Sequence, residues 1–486
     1  MMMELKARDA FERVFKPFMD IEPVAMLIRG LPGAGKTTLA LELMRSVRER
    51  YNCFYISTRV SYNKLRKQLP WVEDMLDDST ALQFSPEPVL RSSKNGDASK
   101  VDSIDLRLSS ADNLLNLVVD KLISSKRAFI VLDSWDALAK EIPMDERLKM
   151  EKSMLAVADA NDGMLVFISE EPEMNTLAYL VDCVITLGRE EMSNVWIRTM
   201  NIDKMRGVAI NKSKLVYTLH GGHFTIAEGE KKISYVSSLF PPLTSKNGYI
   251  STGSRDMDYA FRDGIREGSI VVLEVDSNVN MRYARIIALS AVLNNIRSNR
   301  QAMVICGQDE PLVKVLRKIV PHCTSHDLSR LMVFTSPSQM QEQEYATAYS
   351  ELSTYDKNSI EEGMVMNLTD DPEENLAMLV DSYIKLKEDG KSMVIYVNMI
   401  WKDLEDVKNR LVYGAKVVRN NRDVLIITVK SKTELADAAS MLADVHIKLV
   451  KDNDVHVLSM VKPEEKVYAV MLDDNDYPSY SLLPLL

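Results

Sequence analysis

Residues 30–38 read "GLPGAGKTT", and how this stretch is read decides the fold. Gly30, Gly33 and Gly35 let a backbone wrap closely around a phosphate, with N–H groups turned inward as an anion nest. Lys36 is placed to reach the β- and γ-phosphates, and the Thr37 hydroxyl to ligate Mg²⁺. The whole loop (Gly30, Leu31, Pro32, Gly33, Ala34, Gly35, Lys36, Thr37 and Thr38) is therefore expected to hold a nucleoside triphosphate. So short a pattern also arises by chance, and its context is the test. "VAMLIRG" (24–30) reads as a buried strand, and "KTTLALELMRSVRERY" (36–51) as an amphipathic helix whose positive end would lie under the phosphates.

Further along, "FIVLDSWDAL" (129–138) carries Asp133 at the end of an apolar strand, the position for a carboxylate that orients Mg²⁺ or its water. Asp136 is expected to be solvated or a helix cap. Strand-like and helix-like segments alternate over 24–225, as in an open, mainly parallel sheet with helices on both faces. A second run of the same kind begins near residue 248, and "EGEKKISYVSSLFPPLTSKNG" (228–248) lies between the two. "DGMLVFISEEPEMNTLAYLVDCVITL" (162–187) can be laid on "RDVLIITVKSKTELADAASMLADVHIKL" (422–449), with Leu180 and Asp182 meeting Leu442 and Asp444. The expectation is a tandem duplication: one α/β domain over 1–230, a linker over 231–247 and a second domain over 248–486.

Composition narrows the function classes. The chain has 486 residues, 46% apolar and 27% charged, the profile of soluble globular domains. No apolar run approaches a spanning helix and the start lacks a secretory core, so a cytoplasmic protein without membrane insertion is expected. A net charge of −10 argues against a nucleic-acid partner, because binding driven by counterion release needs a basic surface. Four scattered cysteines form no CxxC pair, so Cys53, Cys183 and Cys306 are read as buried thiols. His322, Cys323 and His326 in "HCTSH" offer three donors with no visible fourth, and "HGGH" (220–223) reads as a turn.

"GKTT" together with "LDSWDAL" resembles the two nucleotide motifs of the RecA-type ATPases, and specifically of the KaiC family. "IRTMNIDKMRG" (197–207) is similar to that family's late strand, which runs into a Lys-x-Arg turn. "STGSRDMDYAFRDGIREGSIVVLE" (251–274) resembles the segment with which KaiC-type domains open, through Thr252, Gly253, Asp258, Gly264 and Gly268. The chain also resembles the archaeal P-loop regulators related to the gas-vesicle regulatory protein. The resemblance implies two tandem RecA-like domains, ATP and Mg²⁺ as ligands, and a homo-oligomer, dimer or hexamer, with a regulatory protein as a further partner. It implies catalytic roles for Lys36 and, from a neighbouring subunit, for Lys204 and Arg206. Thr37 and Asp133 are the implied metal ligands.

The pattern fails in two places. After the strand that follows the phosphate-loop helix, the family carries one or two glutamates, one of which activates water. Here "YISTRVSYNKL" (55–65) puts Arg59 and Val60 there, so hydrolysis is expected to be slow, with Glu170 and Glu171 as candidate substitutes. In the second half Gly30 becomes Val275, Gly35 becomes Asn280, Lys36 becomes Met281, Thr37 becomes Arg282 and Asp133 becomes Asn398. That domain is expected to bind no ATP and to be kept for its surfaces. Three functions stay open: an ATP-dependent regulatory protein, a RecA/RadA-like DNA-handling ATPase, and an interaction protein that holds ATP without turning it over.

Overall fold

The structure, a computed structural model, describes residues 2–485 apart from 59, 84–110, 140–141, 172–175, 193–194, 228, 230–237, 308–311, 336–363, 370, 388–389, 399–404, 453 and 473–476. Its internal contacts separate into two compact units, Met1–Glu228 and Gly229–Pro484.

The first unit contains strands β1 (Ala25–Gly30), β2 (Asn52–Ser57), β3 (Ala81–Gln83), β4 (Ala128–Asp133), β5 (Met164–Ser169), β6 (Cys183–Met192), β7 (Val195–Met205), β8 (Lys214–Thr218) and β9 (Thr225–Ile226). Its helices are α1 (Met2–Met19), α2 (Lys36–Val47), α3 (Tyr62–Gln68), α4 (Ala111–Ser124), α5 (Trp135–Ala139), α6 (Met144–Ala160) and α7 (Leu177–Leu180). The strands form one sheet in the order β3-β2-β4-β5-β1-β6-β7-β8-β9, parallel from β3 to β6 and antiparallel beyond. The central strands are buried on both faces, which is why they read as continuous apolar runs. Alternate residues serve alternate sides. Met26 and Ile28 of β1 pack with Leu39, Leu43 and Met44 of α2, whereas Ala25 and Leu27 pack with Trp135 and Met154 on the opposite face.

The second unit contains β10 (Tyr249–Ile250), β11 (Ile265–Arg266), β12 (Ile270–Val275), β13 (Ala302–Ile305), β14 (Leu331–Thr335), β15 (Val365–Asn367), β16 (Val394–Asn398), β17 (Val424–Lys430), β18 (Val445–Asp452), β19 (Val455–Lys462), β20 (Lys466–Leu472) and β21 (Tyr480–Pro484). Its helices are α8 (Arg255–Ala260), α9 (Met281–Arg297), α10 (Leu312–Ile319), α11 (Ser325–Leu328), α12 (Pro372–Leu386), α13 (Glu405–Asn420) and α14 (Glu434–Leu442). Its large sheet runs β15-β14-β13-β16-β17-β12-β18-β19-β20-β21, the order of the first sheet with one strand added at the parallel edge. The register repeats as well. Asp133 lies beside Ile168, which lies beside Ile28; Asn398 lies beside Thr428, which lies beside Leu273. Asp182 Oδ2 accepts the Ala25 N–H at 3.2 Å, and Asp444 Oδ2 accepts that of Ile270 at 2.9 Å, so each central strand is tied at the same point. Both units are α/β folds built on mostly parallel sheets flanked by helices.

Within the stretch expected as a linker, 231–237 lie outside the described residues, and the remainder is anchored on the second unit. Phe240 is 1% exposed in that unit's core, and its N–H donates to the His322 carbonyl at 3.0 Å. The opening segment is fixed by one carboxylate: Asp258 Oδ1 accepts from both the N–H and the hydroxyl of Thr252, each at 2.7 Å. Gly253, at φ +78°, lets that turn lie on α9, since a Cβ there would come within 2.4 Å of the Ser290 carbonyl oxygen.

Candidate functional site

β1 ends at Gly30 and α2 begins at Lys36, so five residues turn the chain between a buried strand and a helix. Gly30 faces β6 so closely that a Cβ would meet the Leu187 carbonyl oxygen at 2.2 Å, while a Cβ on Gly33 would meet nothing within 4 Å. Gly35 precedes α2 in the left-handed region at φ +92°, which favours glycine. Leu31, Pro32 and Gly33 are exposed, and Ala34 is buried. The hydroxyl of buried Tyr217 on β8 donates to the Ala34 carbonyl and pins the loop to the sheet. Lys36 Nζ donates to the Gly30 carbonyl at 2.7 Å and to that of Leu31 at 3.1 Å, which holds the ammonium at the loop itself.

Asp133 ends β4, as its apolar run foretold. Its Oδ2 accepts from the Thr37 hydroxyl at 2.6 Å and from the Tyr55 hydroxyl at 2.7 Å. The two residues expected to hold the metal are therefore together, with a hydroxyl and a carboxylate as hard oxygen donors suited to Mg²⁺. Tyr55 escaped the sequence reading because in "CFYIS" it looks like one more core aromatic. Burial, then the adjacent Asp133 carboxylate, push its phenol well above the usual range, so it remains a donor. The glycine cradle, the lysine at its mouth and this oxygen pair fit a magnesium-bound triphosphate.

Other expectations are distributed around this centre. Arg59 lies outside the described residues. Val60 offers no carboxylate, and its N–H donates to Ser57 Oγ at 3.0 Å. Asp136, expected as a solvated residue or cap, is 4% exposed and accepts the Glu170 N–H through Oδ2. Lys204 Nζ donates to the carbonyls of Ala178, Tyr179 and Val181 at 3.1, 3.2 and 2.5 Å, closing the end of α7. Burial, then neighbouring Arg206, lower its pKa. Arg206 meets Asp182 at 3.3 Å with its side chain 57% exposed. On the face that carries Tyr217, Arg189 and Arg198 lie directly opposite one another on β6 and β7, a like-charge pair that costs stability. No acid pairs with either among the described residues. No local motif marks this pair, which arises only when β6 and β7 come together.

With this geometry in view, residues 21–231 match the family described as "ATPase: KaiC". The first unit carries a KaiC-like ATPase domain. Two proteins of Halobacterium salinarum resemble nearly the whole chain. "Protein GvpD2" is 22% identical over 484 residues, covering 96% of this chain and 94% of that protein. "Protein GvpD1" is 22% identical over 491 residues, covering 91% and 90%. Both alignments extend far beyond the KaiC domain, so the relationship includes the second unit.

In that second unit the loop between β12 and α9 is filled by its own side chains. Asn280 caps α9 by accepting the Arg282 N–H at 3.0 Å, and its own N–H donates to His456 Nε2 at 3.3 Å. His456 stacks on Tyr283 with ring centroids 3.5 Å apart. Asp276 adds a carboxylate that accepts the Ser277 N–H at 2.7 Å, placing negative charge where a phosphate would need positive. The donors of "HCTSH" diverge: His322 Nδ1 bonds the Ser238 carbonyl at 2.8 Å and His326 Nε2 bonds Arg330 at 2.5 Å. His220–Gly222 form a single helical turn between β8 and β9. No helix among the described residues is long and apolar enough to cross a membrane.

Proposed function

We propose that this protein is an ATP-dependent regulatory protein whose KaiC-type unit binds Mg-ATP and hydrolyses it slowly. Its second unit binds no nucleotide and provides surfaces for self-assembly or for a protein partner. The observation that carries the reading is the joined set of Lys36 at the Gly30 carbonyl and Thr37 on Asp133, set against a second loop closed by Asn280, His456 and Asp276. In this arrangement the loop N–H groups and the α2 dipole bind the phosphates. Lys36 would give its ammonium to the β- and γ-oxygens, and Thr37 and Asp133 would hold Mg²⁺, which would supply charge neutralisation for the leaving phosphates. The exposed Arg206 is suited to a triphosphate on a neighbouring subunit. A γ-phosphate gripped from two subunits would bias one assembly state over another, provided the contacts differ between the states.

Calorimetric titration of the full chain with Mg-ATP tests the reading. One site per chain is expected, lost in Lys36→Ala, together with an ATP-dependent change in sedimentation. Two sites per chain, or a Lys36→Ala protein that still binds, would overturn it.

A further inference from the structure

We propose that Glu170 is the carboxylate that takes the proton of the attacking water, and that buried Asp136 is the positioning residue that holds it. The proposal rests on the reading of residues 30–38 as the ATP site.

The sheet places Glu170 there. β5 lies between β1 and β4, the strands that deliver the phosphate loop and Asp133. The register sets Ser169 beside Arg29 and Ile168 beside Asp133. The residue after β5 thus comes level with Gly30, one strand spacing of about 4.8 Å away. Gly30 is the residue whose carbonyl holds Lys36 Nζ at 2.7 Å. Glu170 thus follows the strand that runs between the one leading to the Lys36 loop and the one ending at Asp133. Met164, Val166 and Ile168 face the core beneath α2, and one more step of that alternation brings Glu170 to the phosphate-loop side and Glu171 to the other.

Its backbone is also held in an unusual way. Asp136 accepts the Glu170 N–H through Oδ2, while its Oδ1 is buried without a hydrogen-bond partner. Burying a carboxylate with an unmet oxygen is costly, and the contact it makes is the one that fixes residue 170. Ser169, fully buried, accepts the Glu171 N–H at 3.1 Å and directs that residue separately. Among the described residues the other candidates beside the loop are already committed or carry no carboxylate. Asp133 is engaged by Thr37 and Tyr55, Val60 has none, and a guanidinium such as that of Arg59 accepts no proton.

The step balances without further reagents. The water oxygen bonds to the γ-phosphorus as its proton passes to a Glu170 carboxylate oxygen. The bond from the γ-phosphorus to the bridging oxygen breaks, and the electron pair leaves on ADP. Glu170 then returns its proton to solvent, leaving ADP and phosphate.

The test uses the full chain with Mg-ATP, measuring affinity by calorimetry and hydrolysis in single turnover. Glu170→Gln should bind within about 2-fold of wild type and hydrolyse about 100-fold more slowly, the lower end of the range for a lost general base. Glu171→Gln should stay within about 3-fold of wild type, and Asp136→Asn should lose about 10-fold in rate with affinity unchanged. The acid limb of the wild-type pH–rate profile should vanish in Glu170→Gln, which a merely structural residue would not cause. Glu170→Ala repeats the test should the amide variant fold poorly. A wild-type rate in either Glu170 variant, or a wild-type protein that binds ATP and never hydrolyses it, overturns the proposal with the ATP site intact. Failure of the wild type to bind ATP instead overturns the reading on which it rests.

Discussion

Removing one oxygen atom at Tyr55 should separate magnesium recognition from phosphate recognition. Tyr55 is 1% exposed, and its hydroxyl donates to Asp133 Oδ2, the oxygen that also accepts from Thr37. A Thr37 hydroxyl that lends a lone pair to a bound cation keeps its O–H for Asp133, and the Tyr55 hydroxyl is the second donor that keeps the carboxylate aimed. A hydrogen bond to a charged acceptor contributes about 1.5–3 kcal/mol. Asp133 is partly exposed and water can replace part of that bond, so the lower figure applies, about a 10-fold change in affinity. In Tyr55→Phe, Mg-ATP should bind about 10-fold more weakly. Affinity for ATP in excess EDTA should be unchanged, because Lys36 and the loop N–H groups are untouched. Calorimetric titrations with and without Mg²⁺, on protein of wild-type thermal midpoint, supply both numbers. Equal losses under the two conditions, or none, would refute the assignment of Asp133 to the metal.

Two further perturbations probe the second unit. Glu274 on β12 accepts a hydrogen bond from buried His446 at 2.9 Å, and that bond, aided by Ser431 and Lys448, holds its carboxyl down at about 2 against 4.5 unfolded. Because the folded value is the lower one, its stabilisation is complete above about pH 4.5 and is lost as pH falls toward 2. A shift of that size is worth about 3 kcal/mol, trimmed to about 2 by solvent around Lys448. Urea midpoints across that window should therefore fall for wild type and stay flatter in Glu274→Gln; parallel curves would exclude the pair as an acid-sensitive element. Phe240→Ala should cost the second unit about 3–5 kcal/mol in urea unfolding, the price of a buried aromatic. A loss below about 1 kcal/mol would mean that 238–247 is a loose tether.

Most of the fold was legible because periodicity in buried strands is a local signal. β1, β4, β5, β12, β16 and β17 each announce themselves as apolar runs, and the phosphate loop carries its chemistry in consecutive residues. The repeat was legible through Leu180-x-Asp182 and Leu442-x-Asp444, because those aspartates tie equivalent strands. What stayed hidden depends on pairing between distant segments. Asp136 looks like a surface helix residue until β5 brings the Glu170 backbone against it. The stretch 238–247, with its two prolines, reads as linker because a single buried Phe240 gives no period. Tyr55 and Tyr217 acquire their roles only when β2 meets β4 and β8 reaches the phosphate loop.

The duplication supplies an internal control for the residues expected to act across subunits. Lys204 caps α7, and Lys462 caps α14 in the same manner, donating to the Ser440 and Ala443 carbonyls at 2.7 and 3.4 Å. The second unit has no phosphate loop to serve, so the lysine contact is accounted for by the end of a helix. Two residues later the units diverge. Arg206 is a largely exposed cation in the unit with a phosphate loop, and its counterpart Glu464 is an anion paired with Lys466 at 3.1 Å. A cation stands at this position in the unit with the phosphate loop and an anion in the unit without one, which is the contrast the proposed role of Arg206 requires. Lys204→Met and Lys462→Met should therefore destabilise their own units by about 1–2 kcal/mol each. Arg206→Ala should leave stability and ATP affinity unchanged and slow hydrolysis only in assembled protein, by about 10³-fold if it acts as an arginine finger. A concentration-independent rate in wild type, unaltered by Arg206→Ala, would remove the neighbouring subunit from the chemistry.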